Sequence, residues 1–79
     1  MAQRTTTDET LPRDEFAAYL RELATEFERG DEQITVPVGN KNVALTPPET
    51  INVSVEVVER SSMLRGDRET IDIELSWKR

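Results

Sequence analysis

The side chains able to move a proton or bind a metal ion are mostly carboxylates, because the chain contains neither histidine nor cysteine. Those two residue types are the usual general bases near neutral pH and the usual ligands of transition metals. Glu56, Asp72 and Glu74 are spaced so that they share the outward face of a sheet, where carboxylates can act as acid and base or hold a hard cation. On a wet surface, ion pairing is the simpler interpretation.

The same outward face offers partners for such ion pairs. In the registers that the pattern allows, Arg60 lies opposite Asp72 or Glu74, and Glu56 can lie opposite Lys78. The serines have no encoded base beside them, and the glycines are too widely separated to form a phosphate-binding loop. We therefore expect no enzymatic activity, no metal site and no cofactor.

The net charge of the chain is strongly acidic. The 16 Asp and Glu residues against 10 Lys and Arg residues give a formal net charge of -6 and a pI of about 4.6. This charge disfavours binding to nucleic acid or to an anionic membrane. Only Lys41 and Lys78 among the basic residues are lysine, and acid-rich, lysine-poor chains are typical of halophilic organisms that accumulate salt in the cytoplasm. Ordinary adjustment of solubility is the alternative.

The length of 79 residues bounds the protein to one domain with a small core. No apolar run approaches the roughly 20 residues of a membrane-spanning helix, and the N-terminus has no apolar segment typical of an export signal. We expect a soluble, cytoplasmic protein. Residues 1–9 carry almost nothing to bury, which predicts a disordered tail before a single domain over residues 10–79.

The first regular element is predicted to be an amphipathic helix over residues 11–29. The apolar residues at the spacing of one helical face are Phe16, Leu20, Leu23 and Phe27. Thr10 is predicted to cap its N-terminus, and Arg29 with Gly30 to close its C-terminus. The opposite face of this helix is acidic and solvated.

Beyond the helix, apolar residues recur at every second position, which predicts four β-strands. Gly39 and Asn40 mark a hairpin turn between the first two strands. Pro37 makes the first an edge strand, because proline cannot donate a ladder hydrogen bond. The predicted core of helix and strands comprises Phe16, Leu20, Leu23, Phe27, Ile34, Val36, Val43, Leu45, Val53, Val55, Val57, Ile71, Ile73, Leu75 and Trp77.

These elements predict an α+β fold: one N-terminal amphipathic helix packed on a four-stranded antiparallel meander sheet, in the order α-β-β-β-β. Residues that pair directly must point the same way. The inward residues of the last two strands are all odd-numbered, so a two-residue turn at Gly66-Asp67 does not fit, and a three-residue loop or a β-bulge is required. Trp77 is predicted to close the core, with a role as an interface anchor as the alternative.

Three stretches carry a resemblance to a known family. They are Arg13-Asp14-Glu15 at the helix start, Leu45-Thr46-Pro47-Pro48 after the second strand, and Ile73-Glu74-Leu75-Ser76-Trp77 at the end. With the order of elements, they make residues 10–77 similar to the amphi-Trp domain family, small proteins common in halophilic archaea. The resemblance implies this fold, with Trp77 closing the last amphipathic strand. The family has no established activity, so the resemblance implies no catalytic residues.

The local basic cluster of this acidic chain lies between the last two strands. There Arg60, Arg65 and Arg68 surround Met63 and Leu64. An apolar dipeptide rimmed by arginines can dock an acidic or amphipathic partner, so these five residues are the candidate partner-binding site. The alternative is a long hairpin in which Met63 extends the core face.

The leading functional hypothesis is a non-catalytic protein-interaction module. In this hypothesis the helix covers one sheet face, while the other face or a strand edge meets an unidentified protein partner or a second copy, giving a homodimer. The alternative is association with nucleic acid, either directly through the three arginines or as an acidic mimic that occupies a DNA-binding surface.

Overall fold

The part of the chain that the structure describes forms one helix followed by four strands. A computed structural model of the protein describes residues 3–30 and 32–78. In chain order the elements are helix α1 (Arg13–Glu28) and strands β1 (Ile34–Val38), β2 (Lys41–Leu45), β3 (Asn52–Arg60) and β4 (Arg68–Ser76). The predicted α+β class and the α-β-β-β-β order are confirmed, with α1 slightly shorter at both ends than the predicted range 11–29.

The four strands form two antiparallel two-stranded sheets, β1–β2 and β3–β4. Both predicted hairpins are therefore present, and their joining into a single four-stranded meander stays a prediction. Pro47 and Pro48 lie in the connection between β2 and β3. By its internal contacts the chain divides into two compact units, Met1–Pro47 and Pro48–Arg79.

The N-terminus of α1 is formed without the predicted cap at Thr10. The amide of Phe16 donates to the carbonyl oxygen of Pro12 at 3.0 Å, and Pro12 occupies the N-cap position with no side-chain hydrogen bond to offer. The carboxylate of Asp14 instead accepts from the amide of Glu15 at 2.9 Å. An acidic side chain in the first turn thus satisfies an amide that has no partner inside the helix.

Strands β1 and β2 form the first hairpin in the predicted register, which pairs Ile34 with Leu45. Gly39 has a φ of +63°, whereas Asn40 lies outside the left-handed region, which is the combination found in a type II′ turn. A Cβ atom at Gly39 would also lie 3.0 Å from the hydroxyl oxygen of Thr7. Backbone angle and space therefore both favour glycine at this turn.

The outer edge of β1 is bound to α1 by two hydrogen bonds. The hydroxyl of Tyr19 donates to the carbonyl oxygen of Pro37 at 3.0 Å, and the amide of Thr35 donates to the carboxylate of Glu26 at 2.9 Å. Both backbone groups therefore point away from β2. The nitrogen of Pro37, which carries no hydrogen, points away from β2 as well. Proline fits this edge strand without removing a ladder bond, and the helix shields the edge from a further strand.

Strands β3 and β4 form a longer hairpin. Its odd-numbered apolar residues pair with one another, as predicted. The pairs are Val53 with Leu75, Val55 with Ile73, and Val57 with Ile71. The strands are joined by residues 61–67, an odd number of residues as expected, but a longer loop than the predicted three. These six apolar side chains consequently share one face of the hairpin.

Burial separates the predicted core residues into three groups. Ile34 is buried, with 2 % of its surface exposed. The half-buried residues are Leu23, Phe27, Val36, Val43, Leu45 and Trp77. The exposed residues are Phe16, Leu20, Val53, Val55, Val57, Ile71, Ile73 and Leu75. The described part of the unit Pro48–Arg79 contains β3 and β4 but no helix, and the packing of their apolar face in a common core stays a prediction.

The predicted tail over residues 1–9 falls partly outside the described residues, at Met1 and Ala2. Residues 3–10 contain neither helix nor strand. The hydroxyl of Thr7 donates to the carboxylate of Glu9 at 3.4 Å. Disorder of this segment stays a prediction.

Candidate interaction surfaces

The arginine loop, residues 60–68, contains all five predicted partner-binding residues. Ser62 determines its shape, because its carbonyl oxygen accepts from the amide of Gly66 at 2.9 Å and its hydroxyl accepts from the amide of Arg65 at 3.1 Å. Ser62 is half-buried. Sequence reasoning missed this residue. Serines accept hydrogen bonds from nearby loop amides in many sequences, so its position alone carries no specific signal.

The arginine loop brings its three arginines to one depression, which Arg60, Arg65 and Arg68 line together. Within the described chain none of the three lies within ion-pair distance of a carboxylate. Met63 and Leu64 are fully exposed, at 104 % and 97 %. Met63 therefore does not extend the core face, and the loop presents an apolar pair beside a depression lined by three arginines and one acid, Asp67.

The apolar hairpin face consists of the six apolar residues of β3 and β4 described above. Their exposed fractions range from 40 % at Leu75 to 69 % at Ile71. Directly opposed and diagonal neighbours in an antiparallel pair lie close together, so these side chains form a continuous strip. Contiguous exposed apolar surface of this kind is often functional.

The polar hairpin face lies on the other side of β3 and β4. Its pairs are Asn52 with Ser76, Ser54 with Glu74, Glu56 with Asp72, Val58 with Thr70, and Arg60 with Arg68. The predicted cross-strand ion pairs are wrong, because Arg60 faces another arginine and Glu56 faces another acid. The physical reason is the loop of residues 61–67, which sets the register by its length while leaving every side chain on its predicted face.

The carboxylates considered for chemistry do share the polar hairpin face, and Glu56, Asp72 and Glu74 line one shallow surface. Among the described residues no group of three or more acidic side chains is arranged to hold a metal ion. The arrangement is an exposed acidic surface.

The pKa of Glu26, a carboxylate of α1, is lowered. The hydrogen bond from the Thr35 amide lowers the pKa of Glu26, and the guanidinium of Arg29, 2.8 Å away, lowers it further. The same hydrogen bond joins α1 to the edge of β1. The shift therefore belongs to a structural contact between helix and strand.

The fold and these surfaces define a small α+β protein whose last amphipathic strand leads directly into a half-buried tryptophan, Trp77. The chain belongs to the Amphi-Trp domain family, because the model of that family matches residues 1–79. The resemblance found over residues 10–77 is thereby confirmed. No curated protein and no solved structure matches the chain. No helix in the described residues is both long enough and apolar enough to cross a membrane.

Proposed function

We propose that the protein is a non-catalytic protein-interaction module and that the apolar hairpin face is its main binding surface. The observation that carries this proposal is the exposure of Val55 and Ile73, which face each other at the centre of the strip and are 62 % and 57 % exposed. Contiguous apolar surface of this extent is characteristic of binding sites. A two-stranded hairpin is also only marginally stable in water until something packs on its apolar side.

The partner that fits this surface is an amphipathic protein segment with acidic residues at one end. Its apolar side chains would pack along the hairpin. The arginine loop lies at the end of the same hairpin, where Met63 and Leu64 supply further apolar contact and Arg65 can bind a carboxylate by two parallel hydrogen bonds. Methionine and arginine are both enriched at protein interfaces.

The proposed setting is a cytoplasm with a high salt concentration. The supporting observation is the charge, with 16 acidic residues and a formal net charge of -6. Salt screens the repulsion that such a surface creates. Binding through an apolar strip does not depend on long-range attraction between charges, so it persists where that attraction is screened.

The test is an affinity pull-down from lysate held in molar KCl, with and without nuclease, read by mass spectrometry. Val55→Lys and Val58→Lys form a matched pair, because both replace a valine of β3 but on opposite faces of the hairpin. We expect the same protein to be recovered by the wild type and by Val58→Lys, and to be lost with Val55→Lys. Circular dichroism checks that both variants keep their fold.

Two outcomes contradict this proposal. In the first, Val55→Lys recovers the partner as well as the wild type does, which would place binding elsewhere. In the second, no protein is recovered above background by any variant at any salt concentration.

A second candidate function is association with nucleic acid, direct or as an acidic mimic. The observation that favours direct binding is the arginine depression, where Arg60, Arg65 and Arg68 meet without a carboxylate partner in the described chain. Replacing all three with serine should abolish binding to labelled DNA and RNA in fluorescence anisotropy. Unchanged affinity removes this candidate, whereas a pull-down that nuclease abolishes strengthens it.

A further inference from the structure

We infer that the polar hairpin face is self-complementary and binds a second copy of the chain, forming a homodimer whose two-fold axis passes through the Val58–Thr70 pair. The inference stands apart from the partner proposed above, because that partner would occupy the opposite face of the hairpin. It rests on the placement of charge in one ladder.

Two pairs of like charge flank the Val58–Thr70 pair at equal distances. On one side Glu56 lies opposite Asp72, and on the other side Arg60 lies opposite Arg68. Each pair is two residues from the centre, which is roughly 6–7 Å along the strands. The six residues that line one shallow depression of this face are Glu56, Val58, Arg60, Arg68, Thr70 and Asp72.

Symmetry converts these repulsive pairs into attractive ones. A two-fold axis that lies between two facing copies and runs across the strands exchanges the positions of the acidic and basic pairs. Arg60 then faces the partner's Glu56, and Arg68 faces the partner's Asp72. Because the rotation applies to both copies, each of these contacts occurs twice, as in any isologous interface.

The charges also exclude the other way of stacking two copies. An axis that runs along the strands would place Arg60 over the partner's Arg68 and Glu56 over the partner's Asp72. Directly opposed like charges are destabilising. The sequence of acid, neutral and basic pairs therefore selects one orientation, with the half-buried Val58 at its centre.

The dimer should be weak and sensitive to salt. Ion pairs at an exposed surface contribute little individually and are screened by added salt. One face of a two-stranded hairpin also offers a small contact, so we expect a transient association. This dependence is the opposite of that expected for binding through the apolar hairpin face, which molar salt does not weaken. In the high-salt cytoplasm proposed above the chain is therefore a monomer free to bind its partner, and it dimerises only when the ionic strength falls.

The first test is the molar mass of the wild type by analytical ultracentrifugation as KCl is raised. We expect a dimer at low ionic strength that dissociates in molar KCl. A monomer at low ionic strength and high protein concentration overturns the inference. A dimer that strengthens with salt also overturns it, and points to the apolar hairpin face as the self-association surface.

The second test uses two variants with opposite charges on this face, which should bind each other but not themselves. In one, Glu56→Arg and Asp72→Arg make the face basic; in the other, Arg60→Glu and Arg68→Glu make it acidic. Each variant should be monomeric, and an equimolar mixture should form a heterodimer at low ionic strength. Glu28→Arg with Glu49→Arg is the control, because it changes net charge as the basic variant does but lies off the face, and it should dimerise.

A cross-linking experiment locates the axis directly. The chain has no cysteine, so Val58→Cys introduces a unique thiol at the proposed centre. Facing sheets stack about 10 Å apart, which is beyond the reach of a disulfide but within that of a short bis-maleimide. We expect Val58→Cys to give cross-linked dimer at low salt and Val55→Cys to give none; equal yields, or failure of the mixed variants to associate, would refute the two-fold arrangement.

Discussion

Glu59 lies directly opposite Glu69 at the loop end of the β3–β4 ladder. The same ladder contains two further pairs of like charge, Glu56 with Asp72 and Arg60 with Arg68. Opposed like charges weaken an antiparallel pair, and salt screens that repulsion. We therefore expect the hairpin to become more stable as salt is added, as the proposed high-salt setting requires.

The Glu59–Glu69 pair gives a direct test of this salt dependence. Glu59→Lys makes the pair attractive, and we expect the free energy of unfolding at low ionic strength to rise by about 0.5–1 kcal/mol. The gain should shrink in molar KCl. Urea titrations followed by Trp77 fluorescence at both salt concentrations measure it. Glu49→Lys changes the net charge equally but lies outside the strands, so an equal gain there would trace the effect to net charge alone.

The hydrogen bond from Tyr19 to Pro37 is expected to stabilise the contact between α1 and β1. Tyr19→Phe keeps the ring and removes only the hydroxyl, so the free energy of unfolding should fall by about 1 kcal/mol. Urea titration followed by circular dichroism at the helical signal provides the measurement. Stability equal to that of the wild type would mean that water replaces the hydroxyl without loss.

The contact made by Glu26 should depend on pH. Its pKa is lowered in the folded protein, so the stabilisation is fully present above the ordinary glutamate value of 4.5 and is lost as the pH falls through the depressed pKa. Glu26→Gln keeps an oxygen acceptor for Thr35 but cannot titrate. We expect the wild type to be more stable than Glu26→Gln near pH 7 and the difference to narrow near pH 3. A difference that is independent of pH would contradict this account.

The turn between β1 and β2 should not accept a side chain at position 39. Gly39→Ala places a residue with a Cβ at a φ of +63°, which costs roughly 1–2 kcal/mol, and adds the close contact with Thr7. Thermal denaturation should show a lower midpoint. Gly66→Ala is the matched control, since its φ is +79° but nothing lies within 4 Å of the added atom. If Gly39→Ala lowers the midpoint no more than Gly66→Ala does, the contact with Thr7 contributes nothing to the loss of stability.

Much of the local structure could be predicted from the sequence. The spacing of Phe16, Leu20 and Leu23 indicated a helix because its apolar face recurs with the helical period, and alternation in the last two strands indicated which residues share a face. Pro37 indicated an edge strand for the reason that the structure shows, since its nitrogen points away from β2. The exact helix start could not be predicted, because Thr10 and Asp14 are both suitable partners for its first amides.

The sequence by itself determined the elements, their order and the face on which each side chain lies, because these follow from local periodicity. Only the tertiary structure decided which residues face each other and which surfaces stay open. A shift of two residues along a ladder leaves every side chain on the same face, so alternation could not distinguish Arg60 opposite Asp72 from Arg60 opposite Arg68. The loop of residues 61–67 selected the register by its length, and a pattern along one strand does not encode that choice.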